Sequence, residues 1–268
     1  MVLQLDGTLE EIREQLDPEE FPETVACIDN MQDEDFGGLY ELASELVNCD
    51  KTKQMPQYLF DFIVFLYKEC IDGGDDDRAM CDLGALYYMG RNGESDFAEA
   101  LRYYEMAADR GNRQAQENLG YCYYYGRNVE VDYKRAFHYF ALGAFDGHLN
   151  SLYKIGDMYR NGYYVEKNPQ EAFRIYLHCM GTMTEDAEHF IAGPVLLRLG
   201  EMMLSGEGTE KDLRGALVCF QKAEAFLYSM VMDGEIEYRR SLKASIDGQT
   251  KARAEMEKTL PEREWKYD

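Results

Sequence analysis

From Leu83 onward, apolar and small residues fall in a strict order. Leu83 and Tyr87 are four apart and so share one helix face, with Gly84 beside them. Gly90 follows where that helix stops, because glycine accepts the left-handed conformation of a helix C′ position. Six residues later Asp96 supplies an N-cap oxygen for a second helix, whose apolar stripe is Ala100, Tyr104 and Ala107. The same order restarts at Leu119, Ile155 and Leu199, at offsets of 36, 36 and 44 residues. Five columns stay in register. The first two are Gly84, Gly120, Gly156 and Gly200, then Gly90, Gly126, Gly162 and Gly206. The third is Asp96, Asp132, Asn168 and Asp212. The last two are Ala100, Ala136, Ala172 and Ala216, then Tyr104, Phe140, Tyr176 and Phe220. In the third copy Pro169 follows Asn168, the favoured first helical residue after a cap. Each copy therefore predicts a helix–turn–helix. The glycine beside the leucine lets the second helix approach the first closely. Such a unit cannot bury its apolar face alone and must stack on its neighbours.

The flanks continue the helical pattern. Thr8 and Glu11 form a capping box for a helix near 9–16, and Pro22 opens another near 22–31. FGGLYELASELVNC and YLFDFIVFLYKECIDGG predict two more helices, so 34–74 resembles a degenerate capping repeat. Beyond the repeats, EIEYRRSLKASI and QTKARAEMEKTL predict two helices separated by Asp247 and Gly248, before a tail that holds Trp265. The longer third offset places extra residues around GTMTEDAEHFIAG, before Pro194, as a longer second helix or loop or as a projecting binding element. The expected class is all-α: an α/α superhelical solenoid of helix–turn–helix repeats with helical caps at both ends. The expected division is 1–74 (acidic cap with the degenerate repeat), 75–230 (four repeats) and 231–268 (C-terminal capping helices and tail).

The combined pattern A-x-x-x-L-G-x-x-Y-x-x-G, a short loop, then D-x-x-x-A-x-x-Y-Y-x-x-A-A-x-x-G resembles the Sel-one-like repeat family, relatives of tetratricopeptide repeats. Ala79, Leu83, Gly84, Tyr87, Gly90, Asp96, Ala100, Tyr103, Tyr104, Ala107, Ala108 and Gly111 carry it in the first copy, whereas Met203 replaces the Tyr87-column residue in the fourth. Leu119 repeats the Leu83 position. The resemblance covers roughly residues 75–230. It implies a scaffold or adaptor that assembles other proteins, not a catalyst.

Charge narrows the partners. The net charge is −23, and residues 1–77 hold 21 acidic side chains against 4 basic ones. Nucleic acid and anionic membranes would be repelled. No apolar run reaches the ~18 residues of a transmembrane helix. The N-terminal sequence lacks a basic segment followed by an apolar one, so a cytoplasmic protein is expected. Seven cysteines, an odd number without a C-x-x-C pair, point to buried reduced thiols. Four histidines, none in H-x-x-x-H, predict no metal site. The run DGGDDD at Asp72–Asp77 lacks EF-hand spacing. Nucleotide-binding and nucleophile-elbow motifs are absent from the sequence, so no cofactor and no enzymatic activity are expected.

By analogy with tetratricopeptide-like solenoids, the first helix of each unit lines a concave groove. Leu83, Gly84 and Tyr87 are committed to packing, so the other helix face supplies the lining. That face carries Cys81, Asp82, Ala85, Tyr88 and Met89 in the first copy. The second copy gives Glu117, Asn118, Tyr121, Tyr124 and Tyr125; the third gives Tyr153, Lys154, Asp157, Arg160 and Asn161. Tyrosine offers large contact area with few rotors and a hydroxyl. Either these rings pack on the neighbouring unit or they line a partner groove. The groove reading has Tyr88, Glu117, Asn118, Tyr121, Tyr124, Tyr125, Tyr153, Asp157 and Arg160 as contacts. Acidic surroundings favour a basic or amphipathic protein or peptide partner. The alternative is an acidic inhibitor or immunity-like regulator of an enzyme, acting through the N-terminal face.

Overall fold

A computed structural model describes residues 36–48, 57–183 and 189–258, together with Val25 and Met55. The helices expected over 9–16 and 22–31, Cys27, Cys49 and the Trp265 tail lie outside the described residues. No strand occurs among those described. The chain forms two compact units, Met1–Asp132 and Tyr133–Asp268.

In the first unit α1 (Phe36–Asn48), α2 (Gln57–Gly74), α3 (Asp77–Met89), α4 (Phe97–Asp109) and α5 (Arg113–Tyr125) each pack on the next. The two flanking helices read from sequence are thus present as α1 and α2. Their buried residues, including Leu42, Phe62, Ile63 and Tyr67, join Leu83, Leu86 and Tyr103 in one core. The second unit follows the same sequential rule through α6 (Tyr133–Phe145), α7 (Leu149–Asn161), α8 (Pro169–Thr182), α9 (His189–Ser205), α10 (Leu213–Met232) and α11 (Arg239–Lys258). This is the all-α helix–turn–helix arrangement that the repeat columns predict.

Each column does local work. Asp96 opens α4 by accepting the amide protons of Ala98 and Glu99, both at 3.0 Å. Asp212 caps α10 in the same way through Arg214 and Gly215, and Asn168 caps α8 through the Glu171 amide. The cap residue's own amide also closes the turn onto the carbonyl nine residues back. These bonds are Asp96 to Tyr87 (2.9 Å), Asp132 to Tyr123 (3.0 Å), Asn168 to Tyr159 (2.8 Å) and Asp212 to Met203 (2.9 Å). Asp96→Ala should lower stability by about 0.5–2 kcal/mol in urea denaturation, and Asp96→Asn far less, because Asn still offers a cap oxygen. An Asp96→Ala midpoint equal to wild type would refute the capping role.

The helix-ending glycines are left-handed throughout, yet the space around them differs. Gly90 ends α3 at φ 61°, where an added Cβ would lie 2.5 Å from the Glu94 carbonyl carbon, so glycine is required on two counts. Gly126 and Gly162 follow α5 and α7 at φ 69° and 76°, and Gly206 follows α9 at φ 76°. Their nearest neighbours would be side-chain atoms: Val131 Cγ2 at 3.0 Å, Lys167 Cβ at 3.1 Å and Lys211 Cβ at 3.6 Å, respectively. At Gly206 the requirement is therefore one of backbone conformation and not of space.

The first glycine column sits at helix crossings. A Cβ on Gly84 would meet the Tyr104 ring at 2.7 Å, on Gly156 the Tyr176 ring at 2.7 Å, and on Gly200 the Phe220 ring at 2.8 Å. In each of these three the aromatic partner follows the glycine by 20 residues. Tyr104, Tyr176 and Phe220 are buried. Gly120 departs from the simple repeat. It is buried in α5, but Phe140, at the same spacing, belongs to α6 of the second unit. The sequence repeat and the compact unit therefore have different boundaries in the second copy.

One expectation is corrected. Asp247 and Gly248 do not separate two helices: α11 runs unbroken from Arg239 to Lys258. Gly248 is buried in it because the Phe220 ring comes within 2.6 Å of where its Cβ would be. Here glycine serves close approach of two helices and not chain reversal. Of the residues around GTMTEDAEHFIAG, 184–188 lie outside those described. The described part of the longer third offset extends the next first helix: α9 has 17 residues, against 13 in α3, α5 and α7, and Pro194 lies inside it.

Candidate partner-binding surface

In the first unit the predicted lining residues come from α3 and α5. The Asn118 side-chain amide reaches Cys81 Sγ at 3.8 Å, which ties the two helices together. The Asn112 side-chain amide adds a bond of 2.8 Å to Asp77 Oδ2. Tyr88 is half-buried and lies edge-on to Phe97, with centroids 5.2 Å apart. Burial raises its phenol above the ordinary range, and the nearby Arg127 opposes that rise. On α5, Tyr125 stacks on Tyr121 (6.3 Å, 12°) and meets Tyr124 edge-to-face (4.9 Å, 79°). Tyr121, Tyr124 and Asn118 are half-buried, and Tyr125 is 47% exposed. Arg127, just past the helix, places its guanidinium 4.8 Å from the Phe97 centroid and 5.9 Å from that of Tyr125. The result is an ordered row of rings with hydroxyls, fixed by stacking before any partner arrives.

The premise that packing leaves the whole face free fails at Glu117, Tyr153 and Asp157, which are buried at 3%, 6% and 5% exposure. The residues of the third copy are spent inside the second unit. Arg198, from α9, grips Asp157 with two donors: Nη2 to Oδ2 at 2.8 Å, and Nε to Oδ1. The Tyr176 hydroxyl donates to the same carboxylate at 2.6 Å, and Lys154 Nζ stands 3.8 Å away. Tyr153 lies under both cations, with its centroid 4.9 Å from Lys154 Nζ and 5.3 Å from the Arg198 guanidinium carbon. Burial alone would raise the Asp157 carboxyl, but Arg198, Lys154 and Tyr176 outweigh it and hold it below the usual carboxylate range. Arg160 is likewise engaged, with Glu201 at 2.7 Å and Glu207 at 3.0 Å. These groups join α7 to α8, α9 and the turn after α9. A helix inside a stack has neighbours on both sides, so the single-helix phase that assigned them to a free face was incomplete.

Arg198 was missed from sequence. It had a signal: one cation in the apolar run GPVLLRLGEMM, which must find a counter-charge when buried. Phe97, Glu94 and Arg127 were missed because they lie in or beside the connecting turn, outside the helical columns.

Other chemistry is sparse. Among the described residues no group of three or more His, Cys, Asp and Glu is placed to hold a metal ion, and no helix is long and apolar enough to cross a membrane. Cys70, Cys81, Cys122 and Cys179 are buried, and Cys219 is half-buried. Burial pushes Cys70 up to about 11, and Cys81 and Cys122 up to about 12, which suppresses the reactive thiolate.

Comparison with known proteins agrees with the repeat register. The sequence model described as Sel1 repeat matches residues 77–112, 113–148, 149–177 and 194–225. Among solved structures, a Sel1 repeat protein from Oxalobacter formigenes is 19% identical with a TM-score of 0.57, over 76% of this chain and 80% of that one. A protective antigen present in uropathogenic Escherichia coli strains, displaying an SLR fold, is 20% identical with a TM-score of 0.54. That match covers 93% of this chain and 57% of the antigen. No curated protein matches the sequence.

Proposed function

The chain belongs to the Sel1 repeat family, whose repeats generally mediate protein–protein interaction, and from that premise we propose a non-catalytic scaffold or adaptor that binds a segment of another protein. The binding face is that of α3 and α5, with Tyr88, Asn118, Tyr121, Tyr124 and Tyr125 as its contacts. The stacked Tyr121–Tyr125–Tyr124 row carries this reading. Pre-ordered tyrosines lose little entropy on binding and offer both ring area and hydroxyls. Residues 1–132 hold 30 acidic side chains against 10 basic ones, which favours a basic or amphipathic segment. An odd number of cysteines without a C-x-x-C pair supports a reducing, cytoplasmic setting.

Affinity capture with mass spectrometry, followed by calorimetry on the recovered partner, tests the proposal. Tyr121→Ala with Tyr124→Ala should weaken binding at least about tenfold with unchanged helical circular dichroism. Full binding by this variant overturns the tyrosine face. If binding then collapses with Glu10→Lys plus Glu11→Lys and with added salt, the acidic-regulator reading replaces it.

A further inference from the structure

Among the described residues of the first unit, Arg78, Arg102 and Arg127 lie on aromatic rings. The guanidinium carbon of Arg78 is 4.4 Å from the Tyr40 centroid, that of Arg102 is 4.0 Å from Tyr103, and that of Arg127 is 4.8 Å from Phe97. Two of these sites end rows of rings. Phe60 meets Tyr87 edge-on at 5.7 Å, and Tyr87 stacks on the arginine-bearing Tyr103 at 5.9 Å and 4°. The second row is Tyr88 edge-on to Phe97, which carries Arg127.

Between the rows lies a pocket of about 450 Å³, lined among others by Phe60, Tyr87, Phe97, Glu94, Asp96 and Asn128. Phe60 is buried, so it forms the floor, while Glu94 and Asp96 are exposed at the rim. No lining residue is basic. The pocket thus repeats the surroundings of two of the ring-bound arginines, which likewise combine a ring with a carboxylate: Arg78 with Tyr40 and Asp76, and Arg102 with Tyr103 and Glu99. Asp96 spends Oδ1 on the amides of Ala98 and Glu99. The field of the unit points the same way, since its side chains sum to −20 of the chain's −23.

We infer that this pocket takes a lysine or arginine side chain presented by the partner protein, with the cation between the Tyr87 and Phe97 rings and against Glu94. The inference rests on the partner-binding reading above and adds the residue that anchors the partner. A ring quadrupole attracts a cation most where water is partly excluded, and a nearby carboxylate adds salt-dependent attraction.

The test is a titration of the full-length ¹⁵N-labelled chain with four probes. These are Ac-Gly-Lys-Gly-NH₂, Ac-Gly-Arg-Gly-NH₂, the norleucine tripeptide of equal length, and n-butylammonium. One of the cationic tripeptides should shift the amides of 92–98 and bind at least about tenfold more tightly than the norleucine peptide. Glu94→Gln, at an exposed position, should weaken that binding about three- to tenfold, as should high salt. Equal binding of norleucine, shifts confined to other regions, no binding, or indifference to Glu94→Gln overturns the inference. Butylammonium binding as tightly as the cationic peptide also overturns it, because the site would then serve free amines. A partner lost by the Tyr121/Tyr124 variant while the tripeptides do not bind sinks this inference alone. A partner retained by that variant sinks the tyrosine face, whatever the tripeptides do.

Discussion

Asp157→Leu is expected to destabilise the protein by about 3–5 kcal/mol, because it removes one member of a buried charge cluster and leaves the others in place. Arg198 loses a bidentate acceptor, Lys154 loses a charge 3.8 Å away, and the Tyr176 hydroxyl loses its bond of 2.6 Å. Tyr176 is fully buried, so its hydroxyl cannot turn to water instead. Asp157→Leu combined with Arg198→Met should recover part of the loss, since the guanidinium is no longer left without its carboxylate, while Lys154 still lacks the Asp157 charge. Urea midpoints of the three proteins decide this. An Asp157→Leu variant within about 1 kcal/mol of wild type contradicts the cluster's role. The sign of the pH dependence follows from Asp157's depressed value. Its contribution is complete above the unfolded carboxylate value of about 4 and is lost as pH falls through the lower folded value. Acid unfolding should therefore be less steep in the double variant than in wild type.

Gly156→Leu should cost about 3 kcal/mol or more, the upper part of the overpacking range. Even a single added carbon would stand 2.7 Å from the Tyr176 ring and 3.2 Å from Ile175 Cγ2. Tyr176 cannot swing aside, because it is buried and its hydroxyl is bonded to Asp157. Gly181 provides the control. It lies in α8, and nothing comes within 4 Å of where its Cβ would be. Gly181→Ala should be neutral or stabilising by up to about 1 kcal/mol, through helix propensity. Thermal melts that rank Gly156→Leu level with Gly181→Ala would remove the close crossing from the account.

The repeat register and the ends of its helices are legible in the sequence alone. Gly90, Asp96 and their counterparts act within one turn, on amides and carbonyls no more than nine residues away, so their chemistry needs no knowledge of the fold. The pairing of Gly84, Gly156 and Gly200 with rings 20 residues on is also legible, because one hairpin contains both members. What depends on more distant neighbours emerges only from the packed fold. Gly248 lies in an unbroken helix because Phe220, 28 residues earlier, needs the space of its missing side chain. Asp157 and Tyr153 face inward because Arg198, 41 residues beyond Asp157, brings its charge to that side of α7. Helical periodicity says which residues share a face. Only the packed neighbours say whether that face meets solvent, a counter-charge or another helix.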